Sequence, residues 1–504
     1  MTAEKISDTQ PAPGIMPSSL RLLQSLRATL QGIANGPNPL DDRTRMSLRS
    51  ADVVLNELLL RENRSFLAEL FAGLRSLAFE AAALLPEHEG AFASELSTLP
   101  ARIDDTVAFD AGSRAVASML HLLDRQMQLL PTAAERSREF LSRVVDAESR
   151  LYNYRIQQVP AAAGPERSAF TAADFERYLH ARFPERGFKV VSFRELVDGF
   201  QKTTVLMALE DRFKAVERIV VRAEKPEIFL RFDCSEVAHE FEVVQILRDA
   251  GVPVAEPLWL ETNAAALGTR FMVSRELAGA NAGNQLIPRQ LSDAEARNVI
   301  QVLAQIHAVP LDDRIQRSPV GHWLRHARLR DNTLALVRSW REQIWVSRCT
   351  PSLAARRLSQ WLIDNVPQED APARLLHVDY GPHNLMLDDG EVSGVLDWES
   401  ARIGDPAEDL SDLLARFRGS IDRSKAIAWY REAGGDEISE YRLRYFDAFN
   451  NIKPVIASLS AGAMFEHQSG TPLQWCLMPL LYGAVGRDVE EKISAAETAK
   501  ASNR

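Results

Sequence analysis

Leu376-His377-Val378-Asp379-Tyr380-Gly381-Pro382-His383-Asn384-Leu385-Met386, followed by Gly394-Val395-Leu396-Asp397-Trp398-Glu399, is the stretch whose reading decides the fold. An apolar pair leads into a polar loop and a second apolar run leaves it. Asp388-Asp389-Gly390 then reads as a tight hairpin turn, and the next strand ends in Asp397. This order brings Asp379 at the head of the loop, Asn384 five residues later and Asp397 across the hairpin into one pocket. Phosphoryl transfer from ATP calls for such a set: a carboxylate facing the acceptor hydroxyl, with an amide oxygen and a second carboxylate on Mg²⁺. For any one of these residues a solvated hairpin loop is the simpler account. All three at this spacing favour a site.

Working outward, 504 residues exceed one compact core and imply two or three domains. A hydrophobic fraction of 46% with 25% charged residues is that of a soluble globular chain. The formal charge of −10 argues against a nucleic-acid partner, since phosphate backbones call for a basic stripe. Cys234, Cys349 and Cys476 lie far apart without metal-ligand spacing and read as reduced thiols of a cytoplasmic protein. Residues 1–17 lack the basic-then-apolar order of a signal peptide, and no run of 18 apolar residues reads as a membrane span.

Residues 1–17 read as a disordered lead-in and residues 18–158 as an all-α bundle. Val116, Leu120, Leu123, Met127 and Leu130 share one helix face, as do Phe140, Leu141, Val144, Val145, Leu151 and Tyr152 on the next. Thr132-Ala133-Ala134-Glu135 has the form of a capping box. Residues 159–167, rich in Pro, Ala and Gly, read as a linker. Thr171 then caps a helix, and short runs of strand type follow at Lys189 to Phe193, Thr204 to Leu209, Arg218 to Ala223, Phe229 to Phe232, Pro257 to Leu260 and Arg270 to Arg275. A helix at Glu236 to Ala250 interrupts them, which gives an α+β pattern.

Three pieces carry a family resemblance: His377 to Asn384, Leu396 to Glu399, and Gly404-Asp405-Pro406-Ala407-Glu408-Asp409-Leu410. In them the chain resembles the aminoglycoside phosphotransferase-like family, relatives of the protein kinases, whose loop reads H-G-D-x-x-x-x-N before an I-D-W-E-like strand and G-D-P-x-x-D-L. Val378 stands where that loop has Gly, and His383 stands where Gly is common. The resemblance covers roughly residues 168 to 490. It implies a protein-kinase-like two-lobe fold preceded by the helical bundle: an ATP-binding N-lobe at 168–280, a C-lobe at 281–490 with the catalytic loop and acceptor site, and a polar tail at 491–504.

The resemblance also implies roles. Asp379 accepts or orients the acceptor proton, and Asn384 and Asp397 hold the metal. Gly199, Lys202 and Thr203 lie in the phosphate-covering turn, where backbone N–H groups cradle an anion. Arg222 is the third-strand cation for the phosphates, oriented by Glu240, and the backbone of Ser274, Arg275 and Glu276 meets the adenine. His377 is a loop anchor, Asp405 a helix cap and Asp409 a loop-fixing carboxylate. His383 is either a substrate contact or a solvated loop residue. The expected cofactors are ATP and Mg²⁺, and the expected partner is a small hydroxylated molecule, with no membrane and with the bundle left open as a homodimer surface. Arg222 and the Gly251-Val252-Pro253-Val254 turn lean towards relatives that phosphorylate hydroxyacyl-CoA. Aminoglycoside or macrolide kinases are the alternative, for which Asp436, Glu437, Glu440 and Asp447 offer a carboxylate cluster. A nucleotide-binding scaffold without transfer is a third reading.

Overall fold

The computed structural model describes residues 64–103, 109–130, 137, 139–145, 170–196, 202–225, 232–283, 288–326, 328–346, 352–369, 371–456 and 488–502. The lead-in, the linker at 159–167, the 132–135 capping box, Cys349, Cys476 and the expected strand at 229–231 lie outside them.

In chain order come α1 (Arg64–Ala83), α2 (Glu89–Thr98), α3 (Phe109–Leu129), α4 (Ala172–Arg182), β1 (Lys189–Leu196), β2 (Lys202–Glu210), β3 (Val216–Glu224), α5 (Val237–Asp249), β4 (Pro257–Glu261), β5 (Phe271–Arg275) and β6 (Ala280–Asn281). They are followed by α6 (Asp293–His307), α7 (Asp313–Arg317), α8 (Leu329–Val346), α9 (Leu353–Asp364), β7 (Arg374–Leu376), β8 (Leu385–Asp388), β9 (Glu391–Val395), β10 (Arg402–Gly404), α10 (Ala407–Arg416), α11 (Arg423–Glu432) and α12 (Glu440–Phe449). Residues 488–502 are helical as well, with Val489, Ile493 and Ala496 buried, so the expected polar tail carries an apolar stripe.

The chain forms two compact units. The first comprises Met1–Gly164, Val337–Asp364 and Asn451–Ser494, and the second Pro165–Leu336, Asn365–Asn450 and Ala495–Arg504. In the first, α3 buries Val116, Leu120, Leu123 and Met127 at helical spacing. The α9 residue Arg356 forms a two-pronged ion pair with Asp124 on α3, and Arg357 pairs with Glu490. Segments from the region expected as C-lobe therefore share a core with the early helices.

The second unit carries the kinase-like fold. Its main sheet is antiparallel in the order β1-β2-β3-β5-β4. Strand β2 alternates buried and half-buried residues, as one covered face requires. Val205, Met207, Leu209, Ile219, Val221, Phe271 and Val273 meet Phe175, Tyr178 and Leu179 of α4. Thr171 caps α4 reciprocally with Asp174, which fixes where this covering helix starts. Two smaller sheets, β6-β8-β9 and β7-β10, frame the loop quoted at the outset. The β8–β9 hairpin closes through Asp389 at φ 47° and Gly390 at φ 86°. Positive φ at both central residues is the turn geometry that matches strand twist and selects Gly.

Candidate active site

The loop after β7 is held from behind. Val378 sits at φ 73° although it is β-branched and buried. A non-glycine residue in this region costs about 1–3 kcal/mol, so neighbours must impose it. Asp409, at the start of α10, does so by accepting the backbone N–H groups of His377 and Val378, each at 2.7 Å. The same carboxylate receives His307 Nε2 at 3.2 Å, and His307 Nδ1 meets the Tyr430 hydroxyl at 2.7 Å. Burial alone would raise the Asp409 pKa, but His307, His377 and the amide donors outweigh it and hold the carboxyl below its usual range.

His377 is fully buried. Its Nε2 lies 2.8 Å from the Leu396 carbonyl and its Nδ1 accepts the Asp379 N–H at 3.2 Å. These partners put the proton on Nε2, and burial lowers the ring's pKa. Its ring lies edge-on to Trp398, with centroids 4.5 Å apart. His377 is therefore a neutral anchor between the loop and the strand that ends in Asp397.

Asp379 stands at the front of this support with 29% of its side chain exposed. Asn384 Nδ2 donates to the Asp379 carbonyl at 3.0 Å and to its Oδ2 at 2.9 Å. That commitment leaves the Asn384 oxygen as the atom able to meet a cation. His383 Nε2 lies 3.3 Å from Oδ2, and Arg416 Nη2 lies 2.6 Å from Oδ1. Arg416 reaches there from the end of α10, with Nε on Asp412 at 2.8 Å.

Across the hairpin, Asp397 adopts φ 64°. Its Oδ1 meets Arg222 Nη2 at 2.6 Å, and the same Nη2 lies 3.3 Å from Glu240 Oε1. Lys202 is buried, with Nζ 3.1 Å from Glu240 Oε2 and 2.6 Å from Glu399 Oε2. Two cations thus face three carboxylates. Burial opposes the charge on Asp397, but Arg222 and Lys202 outweigh it and lower its pKa. Glu399 goes the other way: burial and the neighbouring Asp397 push it up to about 7. Asp379 also disfavours charge on Asp397, which places the two carboxylates within one electrostatic site.

Asp379, Asn384, Asp397, Arg222 and Glu240 therefore converge. Other expectations need correction. Lys202 and Thr203 are the first residues of β2 rather than parts of a phosphate-covering turn. The Lys202 ammonium is sequestered between Glu240 and Glu399, because burying it unpaired would be costly. Gly199 lies outside the described residues. At the hinge, Ser274 is buried within β5, the Arg275 N–H donates to the Glu256 carbonyl at 2.9 Å, and the Glu276 N–H donates to the Arg218 carbonyl at 3.1 Å. Those two donors are engaged within the protein, which leaves the backbone carbonyls of this stretch for the expected adenine contact.

The expected carboxylate cluster is neutralised by arginines. Asp436 pairs with Arg374 through two bonds of 2.7 Å, Glu437 with Arg431, and Glu440 and Asp447 with Arg423 and Arg444. Glu399 and Arg416 are site residues to which the sequence reading gave no role. Asp409, Asp412 and Arg416 fall at helical spacing on one face, so the fixing of Asp409 to the loop was a usable pointer to Arg416.

The donor set suits Mg²⁺ with a nucleotide. This ion takes one or two protein oxygens plus phosphates and water. The second oxygen of Asp397 has no partner among those residues, and Arg222 Nε is a buried donor lacking an acceptor there. No described helix is long and apolar enough to cross a membrane.

Fold and loop together define the kinase-like class. Residues 215–449 match the model of the phosphotransferase enzyme family, APH, and the resemblance to aminoglycoside phosphotransferase-like proteins rests on that region. The chain is 28% identical over 329 residues to acyl-CoA dehydrogenase family member 11 of Gallus gallus, covering 60% of this chain and 40% of that protein. It is 28% identical over 204 residues to the Homo sapiens protein of the same name, covering 39% and 25%. The chain thus spans between a quarter and two fifths of these curated relatives. A macrolide 2′-phosphotransferase from Brachybacterium faecium is similar in structure at 20% identity and a TM-score of 0.42, covering 60% of this chain and 96% of that one.

Proposed function

We propose that the protein transfers the γ-phosphoryl group of ATP to a hydroxyl of a small molecule, with Mg²⁺ held by Asn384 and Asp397. The observation that supports this reading is the joint placement of Asp379, Asn384, Asp397 and Arg222 around the strained loop. Asp379 hydrogen-bonds the acceptor hydroxyl and takes its proton as the new O–P bond forms and the bond to the bridging oxygen of ADP breaks. Arg222 leaves Asp397 for the phosphates and stays oriented by Glu240. When bound, Mg²⁺ neutralises charge on the transferred group. A binding scaffold has no use for the acceptor-facing carboxylate.

The acceptor we favour is a hydroxyacyl thioester of coenzyme A. Relatives named as acyl-CoA dehydrogenase family members support it, and so does the internal pairing of the acidic cluster that a cationic antibiotic would need. The test is ATP consumption by the full chain with a panel of hydroxyacyl-CoA, aminoglycoside and macrolide alcohols. Turnover is expected with at least one alcohol, with Asp379→Asn lowering it by about 10²–10⁴ and leaving ATP affinity within about twofold. No phosphorylated product from any panel member, or wild-type turnover in Asp379→Asn, overturns the reading.

A further inference from the structure

Arg416 was given no role in the nucleotide and metal site above, yet its Nη2 lies 2.6 Å from Asp379 Oδ1. Its guanidinium is fixed at two points, through Nη2 on Asp379 Oδ1 and through Nε on Asp412 Oδ2 at 2.8 Å. Nη1 has no partner among the described residues, and 24% of the side chain is exposed. The loop is also cut to fit it. A Cβ on Gly381 would stand 2.7 Å from Arg416 Cδ and 3.0 Å from His383 Cε1. Gly381 has an ordinary extended backbone, so its missing side chain serves space rather than conformation.

From this geometry we propose that Arg416 is the acceptor-specificity residue: it donates a hydrogen bond to a neutral carbonyl oxygen lying a few bonds from the hydroxyl that Asp379 engages. This rests on the phosphotransfer reading above and names the substrate feature which that reading leaves open. A hydroxyl bonded to Asp379 lies about 2.7 Å from the carboxylate, and the carboxylate itself touches Arg416. The guanidinium and the reacting hydroxyl are therefore neighbours across one carboxyl group. In a chain with the hydroxyl on the third or fourth carbon, the carbonyl oxygen falls about 3–5 Å from it by ordinary bond lengths, which spans that gap. Charge selects the carbonyl over a free carboxylate. Asp379 and Asp412 already outnumber the one guanidinium, so a further anion meets net repulsion, whereas a neutral oxygen acceptor uses the remaining N–H without adding charge. Arg suits the task because its planar fork keeps the third nitrogen aimed while the other two are tied.

The experiment compares matched acceptors on the full chain: 3- and 4-hydroxybutyryl-CoA, the corresponding hydroxybutyl-CoA thioethers that lack the carbonyl, and the free hydroxybutyrates. Wild type is expected to prefer thioester over thioether by about 10–100-fold in kcat/KM, the range a charged hydrogen bond gives, and to turn over free hydroxybutyrate less well than thioester. Arg416→Met is expected to erase the thioester preference through acceptor KM, with ATP KM unchanged, and Arg416→Lys to keep part of it. A merely structural Arg416 would lower turnover of thioester and thioether alike. That result, or wild type treating both equally while phosphorylating either, overturns the inference and leaves the phosphotransfer reading standing. Phosphorylation confined to the aminoglycoside or macrolide alcohols also overturns it. Absence of product from every alcohol instead marks failure of the phosphotransfer reading itself. Should Arg416→Met fold poorly, as judged by its ATP-dependent thermal shift, Arg416→Lys with the same pair of acceptors decides.

Discussion

Three arginine–aspartate pairs in the second unit share one distance, 2.6 Å: Arg416 with Asp379, Arg222 with Asp397, and Arg442 with Asp405. What separates them is water. Asp379 and Asp397 are 29% and 32% exposed, whereas Asp405 and Arg442 are 5% and 3% exposed. A carboxylate that keeps part of its side chain in solvent can trade its partner for a ligand more cheaply, since water already compensates part of its charge. A dry pair cannot, because either charge left alone carries an unpaid desolvation penalty. The region behind the loop is therefore scaffold and the region in front is exchangeable, although both are built from the same residue types.

The sharpest way to break this comparison is to remove one carboxylate from the dry pair. Asp405→Ala removes the nearest carboxylate of the buried Arg442 guanidinium, leaving it Glu369 at 3.7 Å and the Glu437 carbonyl, and takes away the acceptor of the Ala407 N–H at the start of α10. A loss of about 3–5 kcal/mol in unfolding free energy is expected, read from denaturant midpoints at unchanged m. A loss below about 1 kcal/mol would mean that the two regions do not differ as their burial indicates.

In the open pair the same kind of change moves binding rather than stability. Asp397→Asn keeps the shape but removes the charge that a hard cation prefers. Mg²⁺-dependent ATP affinity is expected to fall about 10–100-fold in a titration, with a smaller loss of stability than Asp405→Ala gives. Unchanged metal-dependent affinity would remove Asp397 from the ligand set.

The same contrast accounts for what the sequence disclosed. The fold of the second unit was legible because strand and helix periods are local: the alternation of β2, the Thr171 cap and the Asp389-Gly390 turn all stand where they were expected. The loop trio was legible because its spacing is itself the signal. Lys202 was misread because its partners, Glu240 and Glu399, are distant in sequence, and only the folded chain shows that its ammonium is buried. At the hinge, sheet register likewise decides which backbone groups remain available, and the Arg275 and Glu276 N–H groups are already engaged. Val378 departs from the glycine of the family pattern, and the structure shows the consequence: a left-handed valine that Asp409 must hold in place.

The smallest effect expected separates charge from shape at Glu399, which lies mostly buried beside the open pair. Glu399 is raised from its ordinary 4.5 to about 7, first by burial and then by the nearby Asp397 carboxylate. Between those two values the folded protein keeps a proton that the unfolded chain has released, so the group's contribution to stability declines as pH rises from about 4.5 to 7 and is constant above that. The direction is opposite to that of Asp409, whose lowered pKa gives stability that is lost as pH falls below the usual carboxylate range. Glu399→Gln imitates the protonated form at every pH. It should match wild type near pH 5 and gain on it by on the order of 1 kcal/mol or more by pH 8. Parallel denaturation series of the two proteins across that range, at fixed ionic strength, read the difference directly. A gap that stays flat with pH means Glu399 titrates alike folded and unfolded, and a gap that opens in favour of wild type means the Lys202 pair dominates and the carboxylate is ionised throughout.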